Sequence, residues 1–363
     1  MRILLLSTLK RRVGPDIFAS RSRIIYQLSL GLASKGHKVS LLGTGDSQIP
    51  GVEVIPVIEK GWADLPPPEN EFHRDVASLM KQAGMMLDLQ DSYDVIHSHI
   101  YPDFFPPILG NELRKPLIIT LHALYTDYID EILTKFDKAY LIALSQAYKS
   151  LYRKAKIFDV VYNGVDTDLY SYREEKENYL FWLGRLARGK KENGQFIDQK
   201  GVGWAIKLAE ESGSSLKLAG PCEDITFFEK EVKPHLNDKI EWVGEVSEEQ
   251  ALPVGKIVEL MQNAKAFLMT INQEEPFGLV MAEAMSCGTP VIGFDRGSVS
   301  EVVEDGKTGF VVSPSEGIGG LKKALFKIST INPSDCKDRV YKMFSIEKMI
   351  DSYQTIYREI INK

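Results

Sequence analysis

The stretch Glu274 to Gly288, EEPFGLVMAEAMSCG, decides the fold. Pro276 ends the element before it, Gly278 allows a close approach to the backbone, and Leu279 to Met285 has the composition of a buried helix. A helix that begins at this corner points its free N–H groups and the positive end of its dipole back toward the corner. The stretch therefore predicts an anion site suited to a phosphate.

Two carboxylates, Glu275 and Glu283, flank this corner with seven residues between them. Glu275 would stand beside the anion and Glu283 one to two helical turns further on. Two acceptors for polyol hydroxyls would then bracket a diphosphate, which is the arrangement that a sugar nucleotide needs. The alternative is a capped core helix with one acid in its first turn and another on its solvent-exposed face, since a single such pair is a weak signal.

The residues after this helix extend the pattern. Cys287 to Gly293 is typical of a helix end, a tight turn and a buried strand, and Gly297 to Val303 of a glycine-led loop that opens a short helix. Asp305 to Val312 predicts a hairpin and a strand. Together these residues resemble glycosyltransferase family 4, the retaining sugar transferases of GT-B fold. The resemblance implies an α/β protein with two Rossmann-like, doubly wound domains facing each other across a cleft.

Length and charge agree with two domains and exclude some partners. The 363 residues are enough for two full cores. Residues 1–165 hold 19 of the 44 basic and 18 of the 50 acidic side chains (+1), so the net charge of -6 comes from the remainder (25 against 32, or -7). Neither half is basic enough to predict nucleic-acid binding. The N-terminal half is compatible with an anionic acceptor or a weak peripheral membrane contact.

The cysteines and the apolar runs indicate the compartment. Cys222, Cys287 and Cys336 are odd in number and far apart, which argues against disulfides and a zinc site. No apolar run approaches the roughly 18 residues that a membrane span needs. Met1 to Leu6 is followed by basic residues, which is the wrong order for a signal peptide. We therefore expect a cytoplasmic protein, at most peripheral at the inner membrane face.

The N-terminal half opens with a strand, a polar loop and a helix. Arg2 to Ser7 is an apolar run typical of a parallel strand covered on both faces. We expect Ser20 or Ser22 to cap a helix that runs through Leu32, because hydroxyl side chains are favoured at helix starts. This strand-loop-helix opening also resembles the family.

The loop before that helix departs from the family pattern. The family usually has two adjacent glycines there, which let the backbone approach donor phosphate and acceptor, whereas this chain has Ala19-Ser20 and its nearest glycine is Gly14. The resemblance places Gly14 and Ser20 beside the acceptor. Four arginines surround the loop and either offer charge to an anionic acceptor or form a solvated basic surface: Arg11, Arg12, Arg21 and Arg23.

Histidines stand where two predicted strands of the N-terminal half end. Asp94 to His99 and Pro116 to His122 read as buried strands, and open α/β sheets bind ligands at the carboxyl edge. In the family a Thr-x-His sequence turns its histidine toward the donor sugar, and His122 matches it. His99 is expected nearby, facing the sugar or acceptor. For His97 and His99 a core histidine is the alternative, and a metal pair is disfavoured because no third ligand has suitable spacing.

The C-terminal half repeats the strand-loop-helix pattern. Tyr179 to Leu183 predicts a strand, Arg185 follows it, and Lys200 precedes the helix Val202 to Glu211. Arg185 and Lys200 resemble the family's pair of cations that grips the donor pyrophosphate and stabilises charge on the leaving group. Gly220, after the next strand, is expected to border the nucleotide.

In the family these two cations lie a few residues apart, but here residues 187–199 separate them. The segment is polar and contains glycine, so we expect a mobile surface insertion. Lys190 and Lys191 are rivals of Lys200 for the phosphate, and Lys200 is preferred because it directly precedes the apolar helix. Asp166-Thr167-Asp168 is similar to the metal-binding D-x-D of transferases with another fold, but its place at the domain crossing favours a turn.

The resemblance also implies domain borders and site residues. Residues 1–165 with 345–363 are expected to form the acceptor-binding domain, and residues 166–344 the nucleotide-sugar domain. Catalysis is expected to involve His122, Glu275, Arg185 and Lys200. The donor-binding residues implied are Arg185, Lys200, Gly220, Glu275, Phe277, Gly278, Leu279 and Glu283.

The expected reaction moves a sugar from a nucleoside diphosphate donor, UDP being the commonest in the family, to a hydroxyl of a glycan, a lipid-linked sugar or a small molecule. The family retains anomeric configuration and needs no metal or other cofactor. No nucleophilic carboxylate is evident in the first half, which favours front-face transfer. A nucleotide-sugar epimerase of the same fold and a non-catalytic nucleotide-sugar-binding protein are the alternatives.

Overall fold

The structure, a computed structural model, describes residues 1–17, 19–186, 188–248 and 252–363. The chain divides into an N-terminal unit, Met1–Gly164 with Ile346–Lys363, and a C-terminal unit, Val165–Ser345. Both are α/β units built on a parallel sheet, so the predicted fold class is confirmed. The borders between the units lie one residue from those expected from the sequence.

Among the described residues, seven parallel strands form the sheet of the N-terminal unit. They are β1 Arg2–Leu6, β2 Lys38–Thr44, β3 Glu53–Ile58, β4 Val95–Ser98, β5 Leu117–Thr120, β6 Ala139–Ala143 and β7 Ile157–Val160. Their order is β3-β2-β1-β4-β5-β6-β7. Every residue of β4 and β5 is buried, as expected of apolar strands covered on both faces. β3 was not predicted, because it contains Pro56 and lies at the sheet edge, where proline is tolerated.

Helices α1 Ser20–Ser34, α2 Glu71–Leu89, α3 Asp127–Leu133 and α4 Gln146–Leu151 follow in this unit. Side chains cap the last three: Asn70, Thr126 and Ser145. The expected cap of α1 is wrong. Ala19 precedes the helix, Ser20 is its first residue and Ser22 is buried within its first turn, so neither hydroxyl lies at the cap position.

The C-terminal unit has a second parallel sheet. Its strands are β8 Tyr179–Leu183, β9 Ser215–Ala219, β10 Ile240–Trp242, β11 Ala266–Met269, β12 Val291–Phe294 and β13 Gly309–Val312. Their order is β10-β9-β8-β11-β12-β13. The hairpin predicted over Asp305–Val312 is wrong, because β13 pairs in parallel with β12 and the preceding residues form only a turn, closed by Thr308 N–H on Glu304 O at 2.9 Å.

The remaining helices complete the chain. They are α5 Val202–Ser212, α6 Ile225–Phe227, α7 Val254–Asn263, α8 Leu279–Ser286, α9 Val299–Val302, α10 Gly317–Lys327, α11 Pro333–Met343 and α12 Ile346–Ile361. Short 3-10 or π turns occupy Trp62–Asp64, Gln90–Ser92, Pro106–Leu109, Phe228–Val232, Lys233–His235, Pro314–Glu316 and Ile328–Thr330. The helical segment from Ile225 to His235 is thus divided into three short elements, and its end coincides with Pro234, which lacks an N–H donor. Helices α3 and α11 were not predicted.

Helix α12 belongs to the N-terminal unit and packs on α1. A Cβ at Gly31 would lie 2.0 Å from Ile350 Cδ1, so the two helices meet at close range. Lys35 and Asp351 form an ion pair across the same contact, and Gly164 N–H lies 3.2 Å from Met349 Sδ. Within the described residues, no helix has both the length and the apolar character needed to cross a membrane.

Candidate active site

The corner before α8 is closed by a glycine. Gly278 has φ +74°, and a Cβ there would lie 2.4 Å from Met281 Cε and 3.2 Å from Glu275 Cγ. Phe277 is buried and its ring packs 5.5 Å from that of Phe344. Among the described residues no side chain caps α8, so the amides at its start, from Leu279 onward, are not claimed by a side-chain acceptor.

Glu283 lies in the second turn of α8 and is 3% exposed. The alternative that places this acid on a solvent-exposed helix face is therefore wrong. A buried carboxylate needs donors around it, since an unmatched buried charge costs several kcal/mol. Glu283 is thus a buried carboxylate within the helix and does not serve to make the helix surface soluble.

Glu275 forms an ion pair with Lys200, whose Nζ lies 2.8 Å from Glu275 Oε2. The two side chains are 13% and 31% exposed. The backbone of Gly297 fixes Glu275, because a Cβ at Gly297 would lie 2.3 Å from Glu275 O and 2.4 Å from its N. Ser298 N–H also donates to Glu275 O at 2.9 Å. The structure thus brings together two residues that are 75 positions apart and that the sequence assigned to one site.

The end of β11 places Lys200. Gly201, with φ +72°, packs so closely on Thr270 that an added Cβ would lie 1.7 Å from its carbonyl oxygen. Thr270 Oγ1 in turn donates to Gly201 O at 2.7 Å. Since β11 leads into the stretch that contains Glu275, this contact sets the position of Lys200 beside that carboxylate.

The start of α5 is closed by a side chain of the chain itself. Asp198 accepts from the amides of Gly201, Val202 and Gly203 at 2.7, 3.0 and 2.9 Å. Burial raises the pKa of Asp198, and these three hydrogen bonds oppose that rise. Helix α5 therefore has a built-in anion at its N-terminus, while α8 has none from a side chain.

The segment 187–199 has a defined shape where the structure describes it; Ala187 lies outside the described residues. Lys190 pairs antiparallel with Phe196, and Ile197 N–H donates to Gly189 O at 3.0 Å. The expected mobile insertion is thus a small hairpin. Phe196 stacks on Phe227 with ring centroids 5.2 Å apart, which fixes the hairpin to the unit.

Of the three candidate lysines, only Lys200 lies beside a predicted site carboxylate. Lys190 Nζ lies 4.7 Å from the Phe196 ring centroid, within the hairpin. Lys191 is exposed in the same hairpin, and its N–H donates to Gln195 O at 2.8 Å. The geometry therefore favours Lys200, as the sequence did.

Arg185 follows β8 and is 58% exposed, with its Nη1 3.2 Å from Glu223 Oε1. The backbone beside it is fixed by Gly220, which has φ +137°, since a Cβ there would lie 2.0 Å from Gly184 O. Gly220 therefore lets the loops after β8 and β9 touch.

In the N-terminal unit, His97 is a core residue. It is fully buried, its Nδ1 lies 2.6 Å from Tyr357 OH and its Nε2 2.8 Å from Thr120 Oγ1. Thr120 Oγ1 lies 2.8 Å from Tyr353 OH. Both tyrosines come from α12, so this hydrogen-bond chain joins the C-terminal helix to the sheet of the unit. The sequence left the role of His97 open.

His99 and His122 form a pair, with His99 Nδ1 2.9 Å from His122 Nε2. His122 is half-buried, whereas His99 is fully buried. Of the pair, only His122 has a partly exposed side chain, and the expectation that His99 faces the sugar or acceptor stays a prediction. Two successive strand ends, after β4 and β5, bring these residues together.

The backbone of His122 is held by Asp103, which the sequence did not reveal. Asp103 is buried, and its Oδ2 accepts from the amides of both His122 and Ala123. Arg21 Nη1 lies 3.1 Å from Asp103 Oδ1 and donates to Ile100 O at 2.9 Å. No local pattern marks Asp103, because it acts through a loop that only the fold brings beside β5.

The histidine cluster is uncharged at neutral pH. Burial lowers the pKa of His97 and His122 well below the ordinary value, and lowers that of His99 to about 3. The Arg21 guanidinium lowers the pKa of His99 and His122 further. Burial raises the pKa of Asp103, while Arg21 and the two amides oppose the rise.

The remaining residues predicted in the N-terminal loop do not gather in one cluster. Gly14 is buried, and a Cβ there would lie 2.6 Å from Arg12 Nη1, while Ser20 is exposed at the start of α1. Arg12 pairs with Asp16 at 2.5 Å. Of the four arginines, Arg21 is mostly buried and forms an ion pair with Asp103, so it is not part of a solvated basic surface. Phe18 of this loop lies outside the described residues.

Two metal hypotheses find no support in the described residues. They contain no group of three or more His, Cys, Asp or Glu side chains placed to hold a metal ion. The oxygen Oδ1 of Asp166 accepts from the amides of Asp168 and Leu169 at 3.1 and 3.0 Å. Asp166-Thr167-Asp168 is therefore a turn, as the sequence favoured.

Two family models match the chain. The model described as Glycosyltransferase Family 4 matches residues 22–169, and the one described as Glycosyl transferases group 1 matches residues 193–340. The first lies mainly in the N-terminal unit and the second within the C-terminal unit. Together they cover most of the residues discussed above, including the corner before α8.

Known proteins of similar length match along the whole chain. N-acetyl-alpha-D-glucosaminyl L-malate synthase of Bacillus anthracis is 23% identical over 92% of each chain. Sucrose-phosphate synthase from Thermosynechococcus elongatus has a TM-score of 0.76 at 18% identity, covering 99% of both chains. HepE from Anabaena, solved with UDP and glucose, has a TM-score of 0.68 at 18% identity over 99% of this chain and 100% of its own. The chain belongs to glycosyltransferase family 4 and is a glycosyltransferase of GT-B fold.

Proposed function

We propose that this glycosyltransferase moves a sugar from a nucleoside diphosphate donor to an acceptor hydroxyl with retention of anomeric configuration. The observation that supports this most strongly is the Lys200–Glu275 pair at the start of α8, with Glu283 buried in the same helix. A cation, a helix start without a side-chain cap and two fixed carboxylates meet in one place. Each matches one part of a sugar nucleotide.

The donor-binding roles follow from charge and position. Lys200 and Arg185 bind the diphosphate, together with the backbone around Gly278 and Leu279 at the positive end of α8. Glu283 accepts from the ribose hydroxyls, and Glu275 from the hydroxyls of the transferred sugar. Hydrogen bonds to a charged group contribute about 1.5–3 kcal/mol each, so both acids are expected to matter strongly. Phe277 and Gly220 set the backbone around these groups.

The Lys200–Glu275 pair prepares the site before the donor arrives. Glu275 holds the flexible Lys200 side chain in place, with Lys200 Nζ 2.8 Å from Glu275 Oε2. When a diphosphate binds, Lys200 can exchange part of this ion pair for phosphate oxygens, and Glu275 gains hydroxyl donors from the sugar. Ordering the Lys200 side chain costs up to about 2 kcal/mol of conformational entropy. This cost falls on folding and therefore does not weaken donor binding.

We propose front-face transfer. The bond between the anomeric carbon and the diphosphate oxygen breaks while the acceptor oxygen bonds to the same face of that carbon, and the acceptor proton passes to the leaving phosphate. Arg185 and Lys200 stabilise the negative charge that develops on this leaving group. His122, at the end of β5, hydrogen-bonds to a sugar hydroxyl. The residues in these roles require no metal ion.

UDP is the proposed nucleotide, supported by HepE from Anabaena, which was solved with UDP and with glucose. The acceptor belongs to the N-terminal unit, and a glycan, a lipid-linked sugar or a small molecule would each supply the hydroxyl. Gly14 and Ser20 border it in this proposal. We place the enzyme in the cytoplasm, at most peripheral at the inner membrane face.

A melting-temperature panel tests the donor site. UDP, ADP, GDP and CDP are added separately to the wild-type protein and to Glu283→Gln and Arg185→Ala variants. We expect UDP to raise the wild-type melting temperature most, and both variants to reduce that rise. If no nucleoside diphosphate shifts the wild type, or if the variants respond as the wild type does, the proposed donor site is wrong. The anomeric configuration of the product, read by NMR, then decides retention, and epimer exchange without any acceptor would indicate an epimerase instead.

A further inference from the structure

The hydrogen bond between His99 and His122 contains a single proton, and one of the two rings must donate it. Both rings are neutral, because burial and the Arg21 guanidinium lower the pKa values of both. A neutral imidazole has one N–H and one bare nitrogen. The 2.9 Å bond between His99 Nδ1 and His122 Nε2 therefore has one donor and one acceptor, and choosing either fixes the tautomers of both rings.

The second nitrogen of His99 decides between the two arrangements. His99 Nε2 is fully buried and has no hydrogen-bond partner among the described residues. The nearest ring is His97, with ring centroids 4.1 Å apart, but both of its nitrogens are already bonded to Tyr357 and Thr120. If His99 Nδ1 accepted from His122, Nε2 would have to be a buried N–H with nothing to receive it.

Buried N–H groups without an acceptor are rarer in folded proteins than acceptors that remain under-used. The arrangement with less cost leaves His99 Nε2 bare and puts the proton on His99 Nδ1, which then donates to His122 Nε2. The proton of His122 must in that case reside on Nδ1, the nitrogen turned away from His99. The main chain beside it is held by Asp103 through the amides of His122 and Ala123, and the Tyr148 hydroxyl donates to Ala123 O.

We propose that His99 is a positioning residue that fixes His122 as the tautomer protonated on Nδ1, so that His122 presents an N–H donor to a substrate hydroxyl oxygen. His99 does not touch substrate in this arrangement. Its proton only determines what the neighbouring ring offers. The proposal rests on the proposed function for its kinetic consequence alone, because the tautomers exist whether or not the enzyme turns over.

Nitrogen NMR of the protein labelled with 15N-histidine tests the tautomers directly. The chain has only six histidines, and His122→Asn and His99→Asn variants identify the two signals by their loss. We expect the wild-type His122 to show a protonated Nδ1 and a bare Nε2. A His122 signal protonated on Nε2 would overturn the proposal, whatever the enzyme's activity proves to be.

Kinetics of two His99 variants test the consequence. The amide of Asn lies close to where Nδ1 lay and can still donate to His122, whereas the side chain of His99→Leu has no donor. We expect His99→Leu to lower kcat roughly tenfold, with KM for the donor changing less, and His99→Asn to recover part of that loss. Equal losses in both variants would contradict a positioning role. If His99→Leu does not fold, the wild-type NMR result still decides.

Failure of the proposed function gives a different pattern. A protein that binds no nucleoside diphosphate and transfers no sugar would have no kinetics to compare, yet His122 would still show one tautomer or the other. Correct NMR tautomers without transferase activity therefore count against the donor proposal and not against the role of His99.

Discussion

The polar clusters of the two units are built in opposite ways. In the C-terminal unit, Lys200 and Glu275 are charged, partly exposed and paired with each other. In the N-terminal unit, His99 and His122 are neutral, because burial lowers the pKa of both. A charged pair at a surface can exchange partners when a charged ligand arrives. A neutral pair has no charge to exchange and can only orient a hydrogen bond. We therefore assign the contacts to phosphate and to sugar hydroxyls to the first cluster, and the orientation of a hydrogen bond to the second.

The largest expected effect is on activity. It tests whether the charged cluster of the C-terminal unit contributes more to kcat/KM than the neutral histidine pair does. Replacing Glu275 or Glu283 by Ala removes hydrogen bonds to a charged group, so we expect kcat/KM to fall about ten- to hundredfold for each. His122→Ala removes a neutral hydrogen bond worth about 0.5–1.5 kcal/mol, and a loss of about two- to tenfold is expected. Steady-state kinetics at saturating acceptor measure both.

The matched controls are Glu275→Gln and Glu283→Gln, which keep an acceptor oxygen and the side-chain shape without the charge. They should fall between the wild type and the Ala variants. A His122→Ala loss as large as that of Glu275→Ala would contradict the division of roles between the two clusters.

The second prediction separates stability from binding within the charged cluster. Gly201 and Gly278 have the same left-handed backbone, with φ +72° and +74°. A methyl group at Gly201 would overlap Thr270 O at 1.7 Å, whereas at Gly278 it would mainly meet Met281 Cε, the end of a flexible side chain. We expect Gly201→Ala to lower the free energy of unfolding by about 3 kcal/mol and Gly278→Ala by about 1–2 kcal/mol.

Urea unfolding measures the two stabilities, and the UDP-induced melting shift measures binding. Gly278→Ala should reduce the UDP shift more than its small loss of stability explains, because its methyl group also approaches Glu275 Cγ at 3.2 Å. An unchanged UDP shift in Gly278→Ala would remove the corner before α8 from the binding site.

The third prediction concerns pH and the neutral cluster. In the unfolded chain a histidine has a pKa near 6.5, while burial lowers the folded pKa of His97, His99 and His122, that of His99 to about 3. Below pH 6.5 the unfolded state therefore binds more protons. The histidines contribute their full stability above pH 6.5 and lose it as the pH falls, by up to about 1.4 kcal/mol per pH unit for each.

Urea unfolding at pH 7.5, 6.0 and 5.0 checks this slope. His97→Phe is the control variant, because it removes one titrating ring from the core. It should be less stable at pH 7.5, where the Thr120 and Tyr357 hydroxyls lose a partner, but its stability should fall less steeply with acid. The same slope in both proteins would show that His97 does not titrate on unfolding.

The smallest expected effect is on the UDP-induced melting shift. It tests whether the start of α5 or the start of α8 binds the diphosphate. Asp198→Ala removes the acceptor of three amides at the start of α5, and the loss of a helix cap typically costs about 1–2 kcal/mol. Since the proposed diphosphate site lies at α8, the UDP-induced melting shift should persist. Asp198→Asn, which keeps one acceptor oxygen, should lose less stability. A UDP-induced shift that grows when Asp198 is replaced by Ala would instead place the anion at the start of α5, whose amides are then free.

Much of this protein can be predicted from local sequence. The strands β1, β4, β5 and β8 were predicted because each is a short run of apolar residues, which buried parallel strands require. The corner before α8 was predicted because proline restricts the backbone there and glycine permits a conformation that other residues avoid. Elements with weak periodicity, such as β3 and α11, were missed, and the cap of α1 was placed on residues that belong to the helix itself.

The candidate site shows the same difference between residues that local sequence predicts and residues that it does not. Glu275, Glu283, Arg185 and Lys200 were selected from spacing and resemblance, and the structure places Lys200 on Glu275. The burial of His99 could not be predicted, because a strand end shows that a side chain lies near the sheet edge but not how much of it other residues cover. Asp103 gave no signal, since its partners at His122 and Ala123 are nearly 20 residues away and belong to another loop.

The sequence by itself determined where the chain turns, which runs are buried and which residues have the chemistry for a phosphate, because these depend on backbone restriction and apolar composition over a few residues. Only the tertiary structure decided which charged groups pair, which helix start is already capped and which of two paired histidines is fully buried. Those outcomes depend on distances of a few ångströms between segments far apart in the chain, and side-chain contacts, burial and pKa values are set by those distances.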